Sequence, residues 1–126
     1  MLKKIIALSL PIVALAALSG CENPQETVHF QADIKPILDS NCTECHRADG
    51  AGTAASGLQT VTYETLMKGT KYGPVIVPGD PESSTFYRLI AGLVDPSIQM
   101  PHGKEQLSAE QILAVENWIK QGAKKN

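Results

Sequence analysis

The chain has 126 residues, with 13 acidic and 11 basic side chains and a formal charge of −2. That length favours a single domain. A mildly acidic chain without a basic tract argues against nucleic acid as a partner.

The N-terminus reads as an export signal rather than as part of the fold. Lys3 and Lys4 precede an apolar run from Ile5 to Leu18, interrupted by Pro11. The run falls short of the ~20 residues that span a bilayer and matches the apolar region of a secretory leader. Leu18-Ser19-Gly20-Cys21 closes it with small residues before a cysteine. This resembles the lipobox of bacterial lipoproteins, which implies cleavage before Cys21 and a diacylglyceryl group on its thiol. Cleavage removes Lys3 and Lys4 but no acid, and takes the formal charge from −2 to −4. Glu22 to Val28 is polar, contains Pro24 and has no apolar period, so it reads as a tether. The expected organisation is a signal peptide over 1–20, a tether over 21–29 and one domain over 30–126.

The first predicted helix runs from about Ile34 to Cys42, with Asp33 as N-cap, Pro36 in the first turn and Ile34, Ile37 and Leu38 on one face. Phe30 packs just before it. Arg47 to Gly57 is rich in Ala and Gly, has no period and reads as a loop. Thr62 caps a short helix from Tyr63 to Lys68 that Gly69 ends. The next helix has Asp80 as N-cap and Pro81 at its first position. Phe86, Leu89, Ile90 and Leu93 form its apolar stripe, and Gly92 interrupts or ends it. Val94 to Leu107 is irregular. Ser108 and Gln111 resemble a capping box for a last helix. Its stripe is Ile112, Val115, Trp118 and Ile119, and its end is Gly122. No strand pattern and no repeat is present.

Cys42-Thr43-Glu44-Cys45-His46 is the strongest chemical signal. Two thiols two residues apart, at a helix end, can reach the two vinyl groups of one haem and form a thioether each. The adjacent His46 then supplies the proximal nitrogen, so the motif reads as c-type haem attachment. A redox thiol pair belongs in a βαβ context, which this sequence lacks. A structural zinc site needs four ligands, and no second Cys/His pair is suitably spaced. With Cys21 in the lipid position, no cysteine remains for a structural disulfide. A mature chain of roughly 100 residues has a limited core, to which a buried porphyrin adds apolar mass.

Met100-Pro101 is the second signal. A thioether is a soft neutral ligand, and Met/His ligation raises the potential of haem iron. Met100 lies in the loop before the last helix, which can bring it opposite His46. Met67 sits beside Leu66 in a helical pattern and reads as packing. His102 is the competing ligand and would give a bis-His centre, but it reads as a solvent-facing loop residue. His29 reads as a surface residue. Arg88 is a candidate partner for a haem propionate or part of a solvated helix face. Tyr72, Tyr87 and Trp118 are candidates for propionate or ring contacts, with core burial the better reading of Tyr87 and Trp118. Gly73-Pro74 is a candidate to place a carbonyl beside His46 Nδ1.

These residues together resemble class I monohaem c-type cytochromes, and more closely the cytochrome c domain of planctomycete proteins. The carrying segments are Asp33 to Leu38, Cys42 to His46, Gly73 to Pro81, Met100-Pro101, Leu107-Ser108 and Trp118-Ile119. Where the related domains often have a second proline after Met-Pro, this chain has His102. The resemblance implies an all-α, cytochrome c-like domain with long loops around one covalent haem c per chain, His46 and Met100 as axial ligands, and electron transfer rather than enzymatic turnover. The expected protein is an extracytoplasmic single-electron carrier. It is lipid-anchored at Cys21 to the periplasmic side of a bacterial membrane and serves redox partner proteins. A haem-based sensor or gas-binding protein, or a haem peroxidase, needs a labile or open sixth position and distal acid–base groups. Met100 fills that position, and no Arg–His distal pair suggests itself.

Overall fold

The computed structural model describes residues 25–126, so the leader and Cys21 lie outside the described residues. Among the described residues there are five short α-helices and one isolated β-bridge, between Thr70 and Gly73. The all-α expectation holds.

A π-helical turn, Phe30–Ile34, runs directly into α1, Lys35–Asn41. Asp33 is not the N-cap of α1. It lies inside the π-turn, where its Oδ2 accepts the His29 N–H at 2.7 Å, while Ile34 occupies the cap position without a side-chain bond. Phe30 and Ile34 are both fully buried, and burying Phe30 extends the coil back to His29. Pro36, which has no N–H to donate, stands at the junction between the π-turn and α1.

Helix α2, Ala51–Ser56, occupies the stretch expected to be a loop. It has no buried residue, so no apolar period betrays it. Ala51, Ala54 and Ala55 are strong helix formers, and Gly57 stops the helix in the left-handed conformation at φ 82°. Helix α3, Tyr63–Lys68, forms as expected, with Thr62 and Thr65 capping each other reciprocally and Gly69 at the end.

Helix α4, Thr85–Ile90, starts later than Asp80 and Pro81 suggest. Asp80 Oδ1 accepts the Ser83 N–H at 3.0 Å and closes a separate turn. The Ser84 hydroxyl is fully buried; it donates to Asp80 O at 2.8 Å and accepts the Val77 N–H at 2.9 Å. Such side-chain bonds compete with the helical ladder and hold the turn apart from α4. Gly92, at φ 70°, follows the helix end. Leu93 therefore leaves the expected stripe and is 48% exposed. The irregular segment that follows contains one 3-10 turn, Pro96–Ile98.

Helix α5, Ala109–Lys120, matches its reading, with a Ser108–Gln111 capping box. Val115, Trp118 and Ile119 are fully buried, and Ile112 packs partly buried against them. Phe30 joins α5 to α3: its ring meets Tyr63 edge-on at 5.2 Å and Trp118 at 5.6 Å. The polar ends of these rings are satisfied by the chain terminus. Tyr63 Oη donates to Ala123 O at 2.8 Å, and Trp118 Nε1 donates to Lys124 O at 2.9 Å. Part of the segment read as a tether docks on the same end. The Gln121 side chain accepts the Val28 N–H at 2.8 Å and donates to Glu26 O at 3.0 Å. No helix among the described residues is long and apolar enough to cross a membrane.

Candidate functional site

Cys42 stands at the C-terminal cap of α1, its N–H donated to Leu38 O at 2.8 Å. The chain then turns on the Cys42 carbonyl, which accepts the N–H groups of Cys45 at 3.2 Å and His46 at 3.0 Å. A single turn therefore carries both thiols and the imidazole. Cys42 is half-buried and Cys45 exposed, and neither forms a disulfide. Burial pushes the Cys42 thiol up to about 11, against a weaker opposing pull from Lys104. Among the described residues, no group of three or more His, Cys, Asp and Glu side chains could hold a metal ion.

His46 is held from behind. Its Nδ1 lies 3.1 Å from Leu58 O. A carbonyl can only accept, so Nδ1 carries the proton and Nε2 keeps its lone pair free for a metal. The carbonyl expected at Gly73-Pro74 is thus supplied by Leu58. Gly73 O is instead occupied in a tight turn, accepting from the Thr70 N–H at 2.9 Å and from its hydroxyl at 3.2 Å. The Thr53 hydroxyl donates to the same Leu58 carbonyl at 2.8 Å. The His46 main chain is pinned as well. Thr60 N–H donates to His46 O at 2.9 Å, and Gly52 and Thr53 N–H donate to Cys45 O at 2.9 and 3.2 Å. Gly52 lies so close to the imidazole that a Cβ there would come within 2.7 Å of Cε1 and 2.8 Å of Nε2.

Cys42, Cys45, His46 and Met100 line one cavity of about 470 Å³, within the ~300–1,000 Å³ range of small-molecule sites. Leu58, Val75, Phe86, Leu89 and Ile90 supply much of its apolar wall, and Ala51, Gly52 and Ala55 of α2 close another side. The stretch read as a loop therefore lies against the site as a helix. Met100 is half-buried, and its N–H donates to Leu89 O at 3.1 Å. The loop that carries it is joined to the cysteine turn by an ion pair between Lys104 and Glu44. Lys104 holds the Glu44 carboxyl below its ordinary range through a hydrogen bond and its charge, and Glu44 raises Lys104 in return. Both groups face solvent, so the pair serves position more than stability.

His102 also lines the cavity, whereas Met67 packs against the core away from it. His29 is exposed beside the π-turn. Arg88 is exposed, Tyr72 is 86% exposed, and neither lines the cavity. Tyr87 and Trp118 are core residues. Lys104, Leu58, Thr53 and Gly52 carry no motif that would mark them in advance.

The residues present fit a haem c. Two thiols and an imidazole with a free Nε2 share one wall, and a thioether is available from a different loop. The cavity is mostly apolar, and no buried side-chain nitrogen or oxygen among the described residues lacks a hydrogen-bond partner. An apolar macrocycle suits such a lining.

Residues 42–103 match the family model described as Planctomycete cytochrome C. A segment of 55 residues is 33% identical to hydrazine synthase subunit alpha of Kuenenia stuttgartiensis, which is 43% of this chain but 7% of that protein. The chain thus spans only a small part of the curated relative it matches. No solved structure was found to match. Residues 42–103 are thus similar to planctomycete-type cytochrome c domains, a family of covalent haem c and haem-based electron transfer.

Proposed function

We propose that the protein is an extracytoplasmic single-electron carrier with one haem c, ligated by His46 and Met100 and anchored to a bacterial membrane through lipid on Cys21. The observation that carries this reading is the meeting of Cys42, Cys45, His46 and Met100 on one apolar cavity. Haem c, when bound, supplies an iron centre that exchanges one electron at a time. Cys42 and Cys45 hold it through thioethers. His46 presents Nε2, and Leu58 O fixes the imidazole in the orientation and tautomer that make this possible. Met100 would offer the iron a neutral sulfur, which favours the reduced state. The apolar walls limit water at the site. Redox partner proteins receive or supply the electron, and the lipid keeps the exchange at the membrane surface.

The likeness to a segment of hydrazine synthase subunit alpha favours a second reading, in which the same domain relays electrons inside an enzyme complex. Purification of the native protein separates the two: a carrier emerges alone, and a relay emerges with catalytic subunits.

The test of the main reading is expression with a c-type haem maturation system. Haem stain is expected to survive denaturing electrophoresis and to be lost in the Cys42→Ala, Cys45→Ala double variant. Haem that washes out of the wild-type protein refutes covalent attachment. In the same cultures labelled fatty acid is expected in the wild-type product and not in Cys21→Ser; an unlabelled wild-type product refutes the anchor.

A further inference from the structure

Two donors meet at one carbonyl behind the imidazole. Leu58 O is reached by Thr53 Oγ1 at 2.8 Å and by His46 Nδ1 at 3.1 Å. The Thr53 backbone is held by other bonds: its N–H donates to Cys45 O at 3.2 Å, and its carbonyl accepts the Gly57 N–H at 2.7 Å. The hydroxyl is therefore delivered to Leu58 O by α2, whatever His46 does.

We propose that Thr53 is a positioning residue that raises the reduction potential by competing with His46 Nδ1–H for the Leu58 carbonyl. The proposal rests on the reading of His46 as iron ligand. A carbonyl oxygen has two lone pairs and can accept both donors, but each bond draws density from the same oxygen. The shorter Thr53 bond leaves a weaker acceptor for Nδ1–H. A hydrogen bond at this position makes a ligating imidazole more basic, and a more basic ligand stabilises the oxidised iron. Thr53 dampens that effect. Without the hydroxyl, Leu58 O accepts more strongly from His46, the imidazole donates more to iron, and the oxidised state gains.

The experiment uses the mature haem-loaded protein. Midpoint potentials are measured by spectroelectrochemistry for wild type, T53V, T53A and T53S. T53V removes the hydroxyl at nearly constant shape, and T53A removes it while favouring the helix, so T53A gives the reading if T53V does not mature. Both are expected to shift the equilibrium about two- to tenfold toward oxidised iron, the size of one modest hydrogen bond; tenfold corresponds to about 59 mV for one electron. T53S is expected to restore the wild-type potential. A role limited to supporting α2 predicts no such dependence on the hydroxyl. An unchanged or raised potential in the hydroxyl-free variants, or a T53S potential as low as theirs, overturns the proposal. Loss of covalent haem from the wild-type protein would instead defeat the underlying reading of the motif, an outcome the haem stain reports separately.

Discussion

At residue scale, Gly52 and His46 are set against each other. A Cβ on Gly52 would sit 2.7 Å from Cε1 and 2.8 Å from Nε2 of the ring, closer than non-bonded atoms tolerate, and the ring is tied to Leu58 O on its other side. Gly52→Ala is therefore expected to tilt the imidazole and change the absorption spectrum of the haem-loaded protein while the thioethers keep the haem attached. Gly103 is the control: a Cβ there meets nothing within 4 Å, although its φ of 66° makes the change to alanine cost about 1–2 kcal/mol. Gly103→Ala should lower stability and leave the spectrum alone. Identical spectra for wild type and Gly52→Ala would show that the ring has room to spare. Cys42, Cys45 and His46 could be read from the sequence because covalent attachment and ligation require fixed neighbours in the chain. Gly52, Thr53 and Leu58 could not. Any residue can offer a carbonyl, and a close approach between α2 and a ring has no sequence spacing of its own.

At element scale, the ends of α3 and α5 were legible because they are written in side chains. Thr62 and Ser108 each accept from a backbone N–H three residues on, at 3.2 Å in both cases, and the third residue bonds back. Ser108→Ala should cost about 1 kcal/mol of stability, read as a lower denaturation midpoint with an unchanged haem spectrum; an unchanged midpoint would mean that α5 is held by packing alone. Asp80 looks like the same kind of signal and misleads. The buried Ser84 hydroxyl bonds both Asp80 O and the Val77 N–H, so the Asp80 turn closes on itself and α4 begins afterwards. Helix α2 was illegible for the opposite reason. Its alanines favour a helix, but nothing in it is buried, and apolar period is the main sequence cue for helices. It is nevertheless the element that supplies Gly52 and Thr53 to the site.

At the scale of the whole molecule, the apolar interior has two parts. Phe30, Tyr63 and Trp118 form an aromatic cluster that fastens the π-turn, α3 and α5 to the chain terminus. None of them lines the second part, the cavity between the cysteine turn, α2, α4 and the Met100 loop. Short helices and long connections leave this space, whose largely apolar lining a porphyrin would fill. The central claim is that His46 and Met100 grip one iron from two sides of that space while His102, which also lines it, stands by. The most direct measurement is the near-infrared absorption of the oxidised haem-loaded protein, where a sulfur-to-iron charge-transfer band reports methionine ligation. The band is expected in wild type and His102→Ala. In Met100→Ala it should vanish, with the site either binding carbon monoxide when reduced or recruiting His102 at a lower potential. A wild-type protein without the band, or a band that disappears in His102→Ala and persists in Met100→Ala, would contradict the account.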